Sequence, residues 1–211
     1  MKYLYNPPVV LKKTFGSFRW NTSKGKILLT FDDGPTPETT ENILKILNEY
    51  KIKAAFFCVG NNIKNYPELT RNILNEDHLI GNHTFNHKKL TRISYTESVN
   101  EINSFTIFLK DKFGYEVKYF RPPHGKFKFN TSSLVKKCGL TNIMWSLLTY
   151  DFRGDIKEVK LAVEKYLRKD SIVVLHDSIK SAKIIQDSIK VILETANQRG
   201  YEIGEPEECL K

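Results

Sequence analysis

Residues 26–50, KILLTFDDGPTPETTENILKILNEY, read as a strand, a turn and a helix in succession. Ile27, Leu28 and Leu29 form an apolar run suited to a strand covered on both faces. The run ends at Asp32-Asp33-Gly34-Pro35, where glycine and proline punctuate the chain. Beyond it Ile43, Leu44, Ile46 and Leu47 recur at helical spacing, and Pro37 and Glu38 suit a first helical turn. Two adjacent carboxylates at the mouth of a buried strand repel each other and resist desolvation unless a cation is near. They ask for a positive partner.

The same alternation recurs along the chain. Apolar, β-rich runs predict strands at 26–31, 54–59, 78–82, 117–121, 142–146, 171–175 and 200–203. Helical periodicity predicts helices at 38–50, 67–76, 95–113, 156–168 and 181–197. About seven strands alternating with helices imply an α/β fold with a mainly parallel sheet. At 211 residues a distorted or incomplete (β/α) barrel in a single domain fits better than two domains. Residues 1–25 are expected to form an N-terminal extension packing on the domain, and residues 26–211 the domain itself.

Composition narrows the function classes. With 40% hydrophobic and 27% charged residues the chain is globular rather than disordered. No run approaches the roughly 20 apolar residues of a transmembrane segment. Pro7-Pro8 and Lys12-Lys13 interrupt the N-terminus, which has no secretory leader pattern, so a cytoplasmic location is expected, or an extracytoplasmic one if the N-terminus is trimmed. Three widely spaced cysteines without a C-x-x-C point to reduced thiols rather than a disulfide framework or a thiolate zinc site. The net charge of +9 favours anionic partners, but the lysines are scattered and no nucleic-acid fingerprint occurs, so nucleic acid is not expected as a partner. Nothing in the sequence addresses oligomeric state.

Four of the five histidines fall just beyond expected strands, in GNHTFNH (81–87), RPPHG (121–125) and LHD (175–177). The carboxyl ends of parallel strands are where chemistry gathers in α/β folds. A lone histidine is more often structural, and His78 is read that way. His83 and His87, four residues apart, can reach one ion. A carboxylate from Asp32 or Asp33 would complete a two-histidine, one-carboxylate site with open positions, which suits catalytic Zn²⁺ and also Co²⁺, Ni²⁺ or Fe²⁺. The remaining aspartate is then available as a base towards water acidified by that ion. The plain alternative for Asp-Asp-Gly-Pro is a turn held by an Asx or capping interaction.

Taken in order, TFDDGP (30–35), GNHTFNH, RPPHG, WSLLTYDF (145–152) and VLHD (174–177) resemble the motifs of the polysaccharide deacetylases of the NodB-homology type, carbohydrate esterase family 4. The likeness spans roughly residues 26 to 203. It implies a distorted (β/α) barrel and metal-dependent removal of acetyl groups from carbohydrate. Asp32 matches the family's catalytic base, with Arg121 the arginine paired to it. Asp33, His83 and His87 match the metal ligands, and one divalent ion, Zn²⁺ foremost, is implied. His176 matches the general acid and Asp151 the carboxylate paired with it. Leu175 falls where the family lines its acetyl pocket. Pro122 and Pro123 have no N–H, so the His124 amide is the expected oxyanion donor, and Pro123 is expected beside it among the substrate-binding residues.

Three positions depart from the family pattern. His124 stands for a tyrosine; it contributes either its backbone N–H alone or also a ring that touches substrate or metal. Phe152 stands for a tryptophan beside the acetyl pocket, and Leu148 for a further aspartate. The expected function is hydrolysis of the N-acetyl group of an acetylated amino sugar, of the N-acetylglucosamine kind found in chitin and peptidoglycan. The alternatives are a deformylase or O-acetyl esterase on another carbohydrate, and a catalytically silent carbohydrate-binding protein on the same fold. Tyr66, Phe127 and Phe129 are candidates for stacking on sugar rings or for a satellite apolar cluster. Lys126 and Lys128 flank RPPHG, either to meet an acidic polymer or as solvated surface charge.

Overall fold

The computed structural model describes residues 4–211. Its strands are β1 (Leu28–Asp32), β2 (Ala55–Cys58), β3 (Leu79–Asn82), β4 (Tyr119–Phe120), β5 (Thr141–Asn142), β6 (Leu147–Leu148) and β7 (Ile172–His176). The α-helices are α1 (Val9–Thr14), α2 (Thr39–Glu49), α3 (Gly60–Asn65), α4 (Pro67–Asn75), α5 (Tyr95–Phe113), α6 (Thr131–Lys137), α7 (Ile156–Tyr166), α8 (Ile185–Gln198) and α9 (Pro206–Cys209). The strands form one parallel sheet in the order β5-β4-β3-β2-β1-β7-β6.

β5 and β6 are the two edges of that sheet, yet only residues 143–146 separate them in the chain. A flat seven-stranded sheet would hold its edges roughly 29 Å apart. Five peptide steps reach at most about 18 Å. The sheet is therefore curled into a half-barrel whose edges approach each other.

That curl explains a difference from expectation. The run 142–146, expected as one strand, divides into the end of β5 and a crossover to β6. Its backbone is engaged elsewhere: Arg19 N–H donates to Asn142 O at 2.9 Å, Met144 N–H to Arg19 O at 2.8 Å, and the carbonyls of Ile143 and Met144 accept from Arg121. The expected strand at 200–203 is reduced to one bridge between Ile203 and Ile27, while Tyr201 N–H closes the end of α8 on Ala196 O.

Strand alternation separates two apolar layers. Leu29, Phe31, Phe56, Cys58, Ile80, Val173 and Leu175 face outward and pack beneath Ile43, Ile46 and Leu47 of α2, Phe105 of α5 and Ile189 of α8. Leu28, Ala55, Phe57, Leu79 and Ile172 face the inside of the curl and meet Ile143. Phe18 and Trp20 form a small cluster with Met144, flanked by Phe15 and Phe127.

Candidate active site

Register builds the site. Asp32 pairs with His176 across β1 and β7, and Thr30 with Val174 one layer below, so all four point into the curl at its carboxyl end. Arg121 follows β4 and projects into the same interior, where it is fully buried. Its Nη1 donates to Asp32 Oδ1 at 2.6 Å and Thr30 Oγ1 at 2.8 Å; Nε and Nη2 donate to Ile143 O and Met144 O at 3.1 and 3.0 Å. The guanidinium also lies 4.0 Å from the centroid of the Phe57 ring. Burying two ions costs several kcal/mol each, and only a partner set of this completeness offsets it. Gly81 leaves the room: a Cβ there would come within 2.5 Å of the Phe57 ring.

Asp33 turns its backbone into the left-handed region at φ 80°, which separates its carboxylate from that of Asp32. Oδ1 lies 3.1 Å from His87 Nε2 and 3.6 Å from His83 Nε2. One donor atom from each of the three residues lies within 4.8 Å of the others. His83 Nδ1 sits 2.8 Å from the Arg121 carbonyl, which only accepts, so Nδ1 carries the proton and Nε2 presents a lone pair. His87 Nε2 is buried and makes no aligned hydrogen bond despite its closeness to Asp33. A set of one carboxylate and two imidazoles converging with an orphaned nitrogen fits a divalent cation. Burial pulls the His83 imidazole down to about 4, which keeps that nitrogen unprotonated at neutral pH. Burial pushes the Asp33 carboxyl up, but the imidazoles of His87, His83 and His176 override it and hold it well below the usual range.

On the opposite wall, Asp151 is fully buried and grips His176 twice, accepting from its backbone N–H and facing Nδ1, each at 2.7 Å. Thr149 Oγ1 donates to the same carboxylate at 3.0 Å. Burial works against charge on His176, yet Asp151 outweighs it and lifts the imidazole to about 9. Phe152 meets the His176 ring edge-on at a centroid distance of 4.8 Å.

Asp32, Asp33, His83, His87, Phe152 and His176 line a cleft of about 790 Å³, whose walls also include Tyr66, His124, Trp145, Leu148 and Ile179. The His124 ring enters it, 4.6 Å from the His87 ring, on a backbone at φ 57°. Burial lowers its pKa to about 4, helped by His87 and Lys89. Four non-glycine residues with positive φ, Asp33, His87, His124 and Tyr150, line this one cleft, which is where strained backbone tends to collect.

Two expected residues lie elsewhere. Leu175 pairs with Phe31 on the outward face and is fully buried in the core, so Val174 supplies the cleft wall. Pro123 is buried and is not part of the lining. Of the proposed sugar-stacking aromatics only Tyr66 lines the cleft; Phe127 and Phe129 join the cluster around Phe15.

Three supporting residues went unforeseen. Asn62 Nδ2 donates to Asp33 O at 2.7 Å and fixes the ligand loop from α3. Glu101, on the buried face of α5, accepts from Asn86 N–H and Nδ2, both at 2.8 Å, bracing the loop between His83 and His87. A lone acid on an apolar helix face was its signal. Asp177 is fully buried against Gly34, accepts from Thr40 Oγ1 at 2.6 Å, and is pushed up to about 7 by burial. A Cβ at position 34 would lie 2.0 Å from its Oδ2, so only glycine fits.

A family model described as polysaccharide deacetylase matches residues 19–143, covering Asp32, Asp33, His83, His87 and Arg121 but ending before Asp151 and His176. A peptidoglycan-N-acetylglucosamine deacetylase of Bacillus cereus is 36% identical over 63% of this chain; the match spans 48% of that relative, about half its length. A second Bacillus cereus protein of the same name is 31% identical over 88% of each chain. The crystal structure of the Bc1960 peptidoglycan N-acetylglucosamine deacetylase, in complex with a substituted benzamide, superposes with a TM-score of 0.87 at 26% identity over 96% of both chains. The chain belongs to the polysaccharide deacetylase family, the NodB-homology domains of carbohydrate esterase family 4.

Proposed function

We propose that the protein is a metal-dependent hydrolase that removes the acetyl group from an N-acetylated amino sugar, in an oligosaccharide, polysaccharide or glycoconjugate. The observation that carries this reading is the convergence of three distinct groups on one cleft: an arginine-held Asp32, a cation-ready Asp33-His83-His87 set, and a protonated His176. A divalent cation bound by Asp33, His83 and His87 would supply Lewis acidity towards water and the acetamido carbonyl.

The chain's own groups then divide the proton work. Asp32 takes a proton from the attacking water, and Arg121, bonded to its Oδ1, holds that carboxylate in place. The water oxygen joins the acetamido carbon, and the C–N bond breaks. An amine leaves readily only if it is protonated; His176, with its pKa near 9, holds a proton at neutral pH to deliver to the departing nitrogen. The products are acetate and a free amine. The backbone N–H of His124 would steady the oxyanion, since the two preceding prolines have none. Phe152 and Val174 shape the wall for the acetyl group.

The test is acetate release from N-acetylglucosamine oligomers by metal-stripped protein with Zn²⁺ or Co²⁺ restored. Metal-dependent release, reduced at least about 10²-fold by Asp32→Asn, is the expected result. Formyl and O-acetyl substrates run alongside separate the alternative hydrolases. Failure to bind metal would overturn the reading; bound metal with no acetate would move it to another acyl substrate, or to a silent binding protein.

A further inference from the structure

Positive charge is not spread evenly over this molecule. Residues 4–31 and 117–150 contain eleven lysines and arginines and no aspartate or glutamate, more than the excess of nine over the whole chain. The two segments make one surface. Arg19 bridges Ile143, Ser17 Oγ and Ser132 Oγ are hydrogen bonded at 2.7 Å, and Phe15 packs on Phe127 and Phe129 at 4.8 and 5.4 Å. Some of these cations are committed: Arg121 to Asp32, Lys26 to Glu202 and Glu208, Lys118 to Glu207. Lys13, Lys126, Lys136 and Lys137 have no ion pair among the described residues, and Lys128 reaches only the carbonyl of Ile93 at 3.0 Å.

Apolar side chains stand among these lysines. Val9, Val10 and Phe129 are 66%, 75% and 84% exposed, and α1 buries none of its six residues. Val9 and Val10 share that helix with Lys12 and Lys13, and Phe129 follows Lys128 directly. Branched aliphatics give nothing to a polysaccharide or a nucleic acid, whose recognition uses hydrogen bonds and flat ring stacking. An anionic bilayer offers both needed halves: an apolar boundary for Val9, Val10 and Phe129, and phosphates for the ammonium groups.

We propose that this face docks the protein peripherally on an anionic lipid surface. No helix among the described residues is long and apolar enough to cross a membrane, so the contact is interfacial. The loop that carries Phe129 begins at His124 and Gly125 on the cleft margin, and docking therefore sets the cleft mouth beside the bilayer.

The experiment is co-sedimentation of the full chain with vesicles of equal parts phosphatidylglycerol and phosphatidylcholine, against pure phosphatidylcholine. Binding to the anionic vesicles only, weakened by salt, is expected. Lys13→Glu with Lys126→Glu and Lys137→Glu should lower partitioning roughly tenfold or more. Val9→Ser with Val10→Ser and Phe129→Ser, which leave the net charge unchanged, should do the same while the protein still melts cooperatively. No sedimentation with anionic vesicles would overturn the proposal. Wild-type-like binding by the serine variant would also overturn it, since adsorption by charge alone needs no apolar tips. A concentration-dependent dimer, abolished by the serine substitutions, would replace the lipid with a second copy of this chain.

Discussion

His78 and His83 flank the same strand, β3, one before its amino end and one after its carboxyl end. Burial drives both imidazoles down to about 4, and each ties Nδ1 to a backbone group. The backbone groups are opposite in kind. At His78 the Ala54 N–H donates to Nδ1 at 3.2 Å, so the proton resides on Nε2 and the ring has no lone pair to offer a metal. At His83 the Arg121 carbonyl accepts from Nδ1, and Nε2 is left as a ligand. The histidine residue type does not decide its chemistry; the backbone atom behind it does.

Substitution separates the two histidines. His83→Gln should abolish binding of Co²⁺ or Zn²⁺, measured by calorimetry, and lower acetate release by at least about 10³-fold. His78→Gln should leave metal affinity within about twofold. Its effect is on folding, since an unpaired Ala54 N–H in the core costs on the order of 1–3 kcal/mol, readable by urea denaturation. Equal loss of metal in both variants would dissolve the distinction.

Asp32→Asn comes next in size. Activity should fall about 10²- to 10⁴-fold while metal affinity changes little, because the amide oxygen still accepts from Arg121 but takes no proton from water. Loss of metal would mean that Asp32, not Asp33, is the carboxylate ligand.

Asp151→Asn tests the third imidazole, the one held charged. The folded pKa of His176, about 9, stands above the ordinary 6.5. The pairing therefore stabilises the fold fully below about pH 6.5, and that contribution fades as pH rises through 9. The variant should lose most stability near pH 6 and converge with the wild type above about pH 9, in denaturant titrations of metal-stripped protein. Its alkaline limb of activity should move to lower pH. A pH-independent difference would mean that only the bond to the His176 N–H matters. Glu101→Gln should have the smallest effect, roughly tenfold in metal affinity, through a loosened brace on the His83–His87 loop.

The sequence was most legible where length or chemistry made a residue stand out. The helix expected at 95–113 is α5 to the residue, because its amphipathic pattern runs five turns and Gly114 stops it in the left-handed region. Asp32, Asp33, His83, His87 and His176 were visible because charged or ligating types followed apolar runs. Two-residue strands such as β5 and β6 have no periodicity to read, and only the closing of the half-barrel separates them. The short helices α1, α3 and α6 offered too few turns for a pattern. Leu175 was misplaced because adjacent strand residues face opposite ways, and the phase is set by its pairing with Phe31. Asn62 and Asp177 act through bonds to segments 29 and 137 residues away in sequence, which no local reading reveals.

The most direct measurement is a Co²⁺ titration of metal-stripped protein, followed by the visible absorption of the bound ion. One equivalent should bind to the wild type and to His78→Gln, and none with comparable affinity to His83→Gln or His87→Gln. A wild-type protein that takes up no Co²⁺, or a His83→Gln variant that binds it as well as the wild type, would contradict the account.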